Sequence, residues 1–272
     1  MSLFSADWLA IREPYDRRAR NPAVLDAVVA ALGGLGTISI VDIACGTGST
    51  LRAIAARLPA RQRWQLVDND LGLLARAAAL DPPAGVSIAT RPVDLARDLE
   101  LALDGPLDLV TASALLDLVS EQWLHRLVVE TAARRLPVYV ALTRDAEIDL
   151  DPPDPLDAKI IAAADAHHGR DKGFGPAIGL AAAATAIAEF RRAGYRVVDG
   201  RSDWRLGPQD REIQTAVLAI WAGAAEEQRA LPRTELIAWL TRRRDLVAAG
   251  RSAMRIGYVD FLALPDDVKQ AG

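Results

Sequence analysis

Residues 41–51 read VDIACGTGSTL, and this stretch decides the fold. The short, β-branched apolar run over residues 38–44 predicts a buried strand. Gly46 and Gly48 then predict a tight turn into a helix that begins near Ser49. Glycine permits positive φ and lets a ligand approach the backbone closely. A strand, a glycine turn and a helix in this order therefore predict a cofactor site.

Apolar runs alternate with helical patterns on both sides of this turn. Strands are predicted over residues 38–44, 64–67, 86–89, 107–112, 138–143, 195–201 and 258–264. Strands that alternate with helices pair in parallel through right-handed crossovers, so the predicted fold class is α/β, with a doubly wound, mostly parallel sheet of seven strands. Residues 145–157 are acidic and rich in proline, which predicts a loop. The helical patterns of the second half predict insertions that form a cap over the carboxyl edge of the sheet.

No linker divides the chain, so a single domain over residues 1–272 is predicted. Within it we expect a helical lid over residues 1–36 and a cofactor-binding core over residues 37–143. Residues 144–272 form the substrate-side half, with the helical insertions and the last two strands.

Composition restricts the class of protein. The net charge of −4 gives no basic surface for nucleic acid, and the run Arg242, Arg243 and Arg244 is interpreted as a solvated helix face. Cys45 is the single cysteine, which excludes an intrachain disulfide and a cysteine-based zinc site, and no metal is predicted. The start does not resemble a signal peptide, and the uncharged runs are shorter than the roughly 18 residues that span a bilayer. A cytoplasmic protein without a membrane partner is expected.

Three carboxylates lie in or near the carboxyl ends of the first three predicted strands. Asp42 lies just ahead of the glycines, Asp68 ends the second strand, and Asp94 follows the third. Asp68 has the spacing from which a carboxylate accepts both ribose hydroxyls. Leu51 stands where a dinucleotide-binding turn has its third glycine, and the acid at Asp42 suits an ammonium group better than a pyrophosphate. These features favour S-adenosylmethionine over NAD and count against an NAD-dependent oxidoreductase.

The segments DIACGTG (42–48), VDND (67–70) with LGLLARA (71–77), VDLA (93–96) and DLVTASALLDLVS (108–120) resemble, in order, the motifs of class I S-adenosylmethionine-dependent methyltransferases. The resemblance covers residues 38–143 and implies an antiparallel last strand. It also implies a set of cofactor contacts. These are Asp42, Ala44, Gly46 and Gly48 with Cys45 in the same turn for the methionine part, Asp68 and Asn69 for the ribose, Asp94 and Leu95 for the adenine, and Ser113 near the methyl group. Cys45 departs from the family pattern, which often has glycine there.

Methyl transfer is an in-line displacement that needs a general base only if the acceptor loses a proton early. Histidine suits such a step near neutral pH, so the catalytic candidates are His167 and His168, with Asp117 from the motif at 108–120. The N-terminal stretch supplies Trp8, Arg12 and Tyr15 as lid or acceptor-contacting candidates, and Arg20 as a clamp on the cofactor carboxylate. Further acceptor-side candidates are Asp171, Lys172, Phe174 and Trp204. An amphipathic surface helix and a polar surface loop remain alternatives for the N-terminal stretch and for residues 166–176.

The predicted function is methyl transfer to a small-molecule acceptor, with O, N and C as possible methylated atoms. One alternative is a catalytically inactive S-adenosylmethionine-binding protein that serves in regulation or assembly. Another is an RNA or protein methyltransferase, although no nucleic-acid partner is expected at this net charge. A monomer or a homodimer is expected.

Overall fold

The computed structural model describes residues 5–266, so residues 1–4 and 267–272 of the predicted single domain lie outside the described part. Within it, one sheet contains β1 (Ile38–Ile43), β2 (Gln62–Asp68), β3 (Val86–Pro92), β4 (Leu109–Ser113), β5 (Val138–Asp151), β6 (Tyr195–Arg201), β7 (Trp204–Leu206) and β8 (Ala253–Pro265). The strand order is β3-β2-β1-β4-β5-β8-β6, and β7 pairs with β8.

Strands β1 to β5 pair in parallel, whereas β8 runs antiparallel to β5, β6 and β7. The predicted α/β fold class and the antiparallel last strand are therefore confirmed. The described sheet has one strand more than the seven predicted. Trp204–Leu206 forms this additional strand, which is too short for its periodicity to be recognised in the sequence.

The helices are α1 (Ala6–Ala19), α2 (Pro22–Leu32), α3 (Ser49–Ile54), α4 (Leu71–Ala78), α5 (Leu99–Ala102), α6 (Glu121–Ala133), α7 (Asp157–His168), α8 (Ala182–Arg192), α9 (Arg211–Glu227) and α10 (Arg233–Ala248). Polar side chains fix where several of them begin. Ser5 and Ser120 accept hydrogen bonds from the first turns of α1 and α6, and Asn21 caps α2 ahead of a proline at its first position. None of the helices in residues 5–266 is both long and apolar enough to cross a membrane.

Side chains alternate between two apolar clusters along the central strand. Ile38 and Ile40 of β1 pack in a cluster with residues of α2, α3 and α4, and Val41 and Ile43 pack in a second one with residues of α5, α6 and α8. Successive residues of a strand point to opposite faces, so helices cover both faces of the sheet. This burial makes the strands nearly continuous apolar runs.

The loop predicted over residues 145–157 is wrong for its first half, because β5 continues to Asp151. The acidic residues there lie opposite basic partners on the antiparallel neighbour. Arg255 of β8 donates to Asp149 at 2.8 Å and to Glu147 at 2.7 Å, while Ile148 pairs in register with Ile256. Charge and nearby prolines indicated a loop, but cross-strand pairing stabilises a strand extension.

The cap is a helical layer in which α9 packs on α7 and α10. The solvated face predicted for Arg242, Arg243 and Arg244 is wrong for Arg243, whose side chain is fully buried. Its guanidinium binds Asp157 at the start of α7 and donates to the Pro152 carbonyl at 2.7 Å. The charge of Arg243 faces inward because the buried carboxylate of Asp157 is its partner, and a buried charge requires such a partner.

Candidate active site

The glycine turn after β1 is held by the neighbouring strand. The Cys45 amide donates to the Val67 carbonyl at 2.9 Å, and the Gly48 amide donates to the Cys45 carbonyl at 2.9 Å. Gly46 and Gly48 have φ values of 55° and 81°, and a Cβ on Gly48 would lie 2.8 Å from Leu80 Cδ1. Both positions therefore require glycine for conformation, and at Gly48 a side chain would also displace Leu80.

Asp68 at the end of β2 is fixed by two backbone donors. Its Oδ2 accepts from the Gly46 amide at 2.8 Å, and its Oδ1 accepts from the Asp70 amide at 3.0 Å. A carboxylate has about four acceptor sites, so each oxygen keeps one for a further donor. Because Asp68 also lines the main cavity, its remaining sites suit the hydroxyls of a ribose.

Asp42 is buried in β1, two residues before Ala44. Thr111 donates to its Oδ1 at 2.7 Å, whereas its Oδ2 has no hydrogen-bond partner among the described residues. Burial raises the pKa of this carboxyl from 3.8 to about 7, against the opposing effects of Thr111 and of Arg20. A carboxylate in this position is stabilised by a nearby cation, which fits the ammonium end of an amino-acid cofactor.

Three non-glycine residues have positive φ near the carboxyl ends of adjacent strands. They are Ala44 after β1, Ala114 after β4 and Leu142 within β5, with φ values of 52°, 52° and 56°. Such backbone is uncommon outside glycine and costs about 1–2 kcal/mol per residue. The Leu142 amide donates to the buried Asp260 at 2.8 Å, and all three strained residues line the cavity. Three of the five described non-glycine residues with positive φ therefore line this cavity.

Helix α1 lies over the glycine turn. Glu13 of α1 binds Arg52 of α3, with 2.6 Å between Oε1 and Nε, and the same guanidinium donates to the Thr47 carbonyl at 2.6 Å. A Cβ on Gly46 would lie 3.1 Å from Leu9 Cδ1. These contacts are those expected of a lid, although the predicted domain division itself stays a prediction.

The main cavity encloses about 410 Å³ between this turn and the cap. Most of the predicted site residues line it: Trp8, Arg12, Ala44, Gly46, Asp68, Asn69, Leu95, Ser113, Asp117, His167, His168, Lys172, Phe174 and Trp204. Residues from the two halves of the chain therefore share one cavity.

The other predicted site residues are not among the described residues that line this cavity: Tyr15, Arg20, Asp42, Cys45, Gly48, Asp94 and Asp171. Asp94 is exposed and accepts from the Ala96 amide at 3.1 Å, although Val93 and Leu95 on either side line the cavity. Asp171 is also exposed and accepts from the amides of its own loop. Burial raises the pKa of the Cys45 thiol, which disfavours a thiolate in the turn.

Arg20 and Tyr15 line a second cavity of about 330 Å³. Arg20 is buried and donates to the Tyr139 hydroxyl at 3.0 Å and to Ser113 Oγ at 3.4 Å. Ser113 lines the main cavity, so Arg20 lies directly behind that wall. Its role as a clamp on the cofactor carboxylate stays a prediction.

His168 and Asp117 form the closest polar pair of the cavity wall. His168 Nε2 lies 2.6 Å from Asp117 Oδ2, and the Asp117 side chain is 6% exposed. His167, at the same end of α7, instead contacts Glu227 of α9 at 3.0 Å. The two adjacent histidines therefore have different carboxylate partners. Within residues 5–266, no three His, Cys, Asp or Glu residues are grouped so as to hold a metal ion.

Sequence reasoning missed several residues of the cavity wall. On α9 these are Val217, Ile220, Trp221 and Ala224. Their spacing of three, four and seven residues places them on one helix face, a signal that equally predicts ordinary core packing. Tyr258 of β8 also lines the cavity, and burial raises its pKa to about 12, so its hydroxyl stays protonated at neutral pH.

Known proteins share this architecture. A family profile described as a methyltransferase domain matches residues 40–137, whereas the curated proteins include none that matches the sequence. The chain is similar to a cyclopropane-fatty-acyl-phospholipid synthase-like protein from Lactobacillus casei, with 15% identity, coverage of 93% of this chain and 99% of that one, and a TM-score of 0.52. It is also similar to the YcgJ protein of Bacillus subtilis, with 12% identity, coverage of 90% and 99%, and a TM-score of 0.50.

A third similar structure is a SAM-dependent methyltransferase from Thiobacillus denitrificans in complex with S-adenosyl-L-homocysteine. It has 17% identity, coverage of 96% of this chain and 98% of that one, and a TM-score of 0.46. The profile begins within β1 and ends at the residue before β5, and it includes the glycine turn and the Asp68 site. Residues 40–137 are therefore similar to a methyltransferase domain, in agreement with the family resemblance predicted from the sequence.

Proposed function

We propose that the chain transfers the methyl group of S-adenosylmethionine to a small-molecule acceptor held between the glycine turn and the helical cap. One observation carries this proposal. A single cavity is lined at one end by Ala44, Gly46 and Asp68 and at the other by His168 and Trp221. A transfer reaction between two bound molecules requires that the residues predicted to bind the cofactor and the residues of the cap face the same space.

The residues of the turn and of the neighbouring strands hold the cofactor in this proposal. Asp68 and Asn69 bind the ribose, and Val93 and Leu95 provide an apolar surface for the adenine beside Asp94. Ala44 and Gly46 hold the methionine part at the cavity wall, with Asp42, Cys45 and Gly48 behind them, and Ser113 lies near the methyl group. S-adenosylmethionine supplies an electrophilic methyl group when bound. The chain contributes by orienting the two reactants and by excluding water under α1 and the cap.

A small acceptor fits the enclosure better than a macromolecule. The cap helices and α1 both contribute to the wall, and the net charge of −4 offers no general attraction for RNA. A catalytically inactive S-adenosylmethionine-binding protein is the second candidate, because the turn and Asp68 suffice for binding alone.

The proposal is tested by calorimetric titration of the full chain with S-adenosylmethionine, S-adenosylhomocysteine and NADH. Asp68→Ala should weaken binding of the first two by about a hundredfold, since two hydrogen bonds to a charged group contribute about 1.5 kcal/mol each. Asp108→Ala is the matched control. Asp108 also accepts a backbone hydrogen bond, from the Ser39 amide at 2.8 Å, but it lies at the amino end of the sheet.

Binding of S-adenosylmethionine that Asp68→Ala abolishes and Asp108→Ala leaves intact supports the cofactor site, and transfer of labelled methyl to a small molecule completes the proposal. Tight binding without transfer to a broad set of acceptors favours the inactive binding protein. Binding of NADH in place of S-adenosylmethionine refutes the proposal.

A further inference from the structure

The pair formed by His168 and Asp117 suggests which acceptor the cavity takes. The two residues come from the end of α7 and from the 3-10 turn Leu116–Leu118 that follows β4, and both line the cavity. We propose that the acceptor is an apolar aromatic compound with a hydroxyl group, that His168 takes the hydroxyl proton, and that Asp117 positions the imidazole. This inference rests on the proposed methyl transfer and adds to it the class of acceptor and the base.

The contact between the two side chains orients the imidazole. An ionised carboxylate only accepts hydrogen bonds, so Asp117 Oδ2 selects the tautomer with the proton on Nε2. Nδ1 of His168 then carries the lone pair of the imidazole, and the described residues provide it with no hydrogen-bond donor. Asp117 Oδ1 is buried without a partner among the described residues, so the carboxylate depends on His168 for its hydrogen bonding. A histidine oriented by a buried carboxylate is the arrangement with which the Ser-His-Asp triad removes a proton from a hydroxyl.

The charges around this pair favour a neutral acceptor. The other charged or titratable side chains that line the cavity are Arg12, Asp68, Asp70, Arg144, His167, Lys172 and Tyr258. Arg12 is already paired with Asp16 at 2.8 Å, and Arg144 is paired with Asp165. Lys172 donates to the His167 carbonyl at 3.3 Å. A carboxylate on the acceptor would therefore compete with Asp16 and Asp165 for the two arginines, which leaves Lys172 as the cation that it could reach without displacing a carboxylate, whereas an uncharged ring displaces none of these partners.

Apolar and aromatic side chains line the same cavity as the pair. Phe174 lines it from the loop after α7 and Trp221 lines it from α9, whereas Trp204 on the β7 side is only 2% exposed and presents almost no surface to the cavity. Val217 and Ile220 complete the α9 face. Aromatic side chains bind planar rings through stacked and edge-on contacts, and an apolar pocket with few convergent polar groups fixes a ligand by its polar end.

The bond between the acceptor oxygen and its hydrogen breaks, and the proton passes to Nδ1 of His168. The acceptor oxygen forms a bond to the methyl carbon while the bond from that carbon to the cofactor sulfur breaks, with its electron pair retained on sulfur. The imidazolium, stabilised by Asp117, then releases the proton to solvent. No oxidant or metal ion takes part.

The test uses 4-nitrophenol as a probe, because its ionised form absorbs visible light and its neutral form does not. The full chain is titrated with the probe in buffer below the pKa of the probe, with and without S-adenosylhomocysteine. The variants are His168→Asn, Asp117→Asn and, as a control, His125→Asn, which alters an exposed histidine on α6 that contacts Glu189. Thermal unfolding and S-adenosylhomocysteine binding check that each variant is folded.

We expect a several-fold rise in the ionised fraction of bound probe for the wild type and His125→Asn. His168→Asn should bind the probe without ionising it, and Asp117→Asn should ionise it less while the probe dissociation constant changes little. A rise that survives His168→Asn, or the absence of any rise in the wild type under both conditions, overturns the inference. Ionisation through His168 in a chain that fails to bind S-adenosylmethionine would support the hydroxyl site and refute the methyl transfer. S-adenosylmethionine binding without His168-dependent ionisation would support the cofactor site and refute the hydroxyl site.

Discussion

Arg242 and Arg243 are adjacent on α10 and carry the same side chain, but they lie in different environments. The Arg242 side chain is 50% exposed and contacts Asp154, whereas that of Arg243 is fully buried against Asp157. We expect Arg243→Ala to destabilise the chain strongly and Arg242→Ala to change its stability little. Exposed ion pairs are weakened by solvent and by side-chain entropy, whereas removing one partner of a buried pair leaves a charge without compensation.

The size of the effect follows from the contacts that are lost. Arg243→Ala removes the bonds to both oxygens of Asp157 and the 2.7 Å bond to the Pro152 carbonyl. Asp157 keeps only the Trp239 indole at 2.8 Å and the Asp154 amide at 2.7 Å. Breaking a buried pair in this way costs about 3–5 kcal/mol. For a chain of this size the melting temperature should fall by roughly 10 °C.

The assay is urea unfolding followed by tryptophan fluorescence, to which Trp239 contributes from within the affected contact. Arg243→Ala should lower the urea midpoint without changing the slope, since the surface exposed on unfolding stays nearly the same. Arg242→Ala is the matched control at the adjacent position. Equal urea midpoints for Arg243→Ala and Arg242→Ala would refute this prediction, because it rests on the difference in burial between the two arginines.

Two further predictions concern the glycine turn and the buried acid beside it. Gly48→Ala should destabilise the chain by about 1–2 kcal/mol in thermal unfolding and weaken S-adenosylmethionine binding, because its φ is 81° and the new Cβ would meet Leu80 at 2.8 Å. Gly223→Ala, in the middle of α9 with open space for a Cβ, should stabilise it by about 0.5–1 kcal/mol; a loss of stability there would contradict this reasoning. Burial raises the pKa of Asp42 to about 7, so the folded chain binds more protons than the unfolded chain, and the free energy of unfolding contributed by Asp42 should fall as pH rises from about 4 to about 7. In Asp42→Asn this contribution should be absent, and parallel pH profiles for variant and wild type would contradict the assignment.

Local patterns in the sequence were sufficient for the cofactor half of the site. The run IVDIA, the glycines at 46 and 48 and the acid at 68 act within one strand, one turn and the next strand, and parallel pairing brings the carboxyl ends of such strands together. The structure adds the hydrogen bond from the Gly46 amide to Asp68. This bond connects the glycine turn to the end of β2, whereas the sequence showed only the spacing between them. Each of these features depends on neighbours in the chain or on a regular crossover.

The acceptor half depended on contacts between distant parts of the chain. The sequence predicted His167, His168 and Asp117 alike as catalytic candidates. In the structure, His168 contacts Asp117 of the turn after β4, whereas His167 contacts Glu227 of α9. The same holds for the buried side chain of Arg243. Charge and periodicity are local properties, whereas a partner fifty or more residues away is chosen by the tertiary fold. The sequence by itself therefore determined the α/β class and the cofactor turn, and the tertiary structure decided which polar side chains are paired, because burial and pairing are properties of the packed chain.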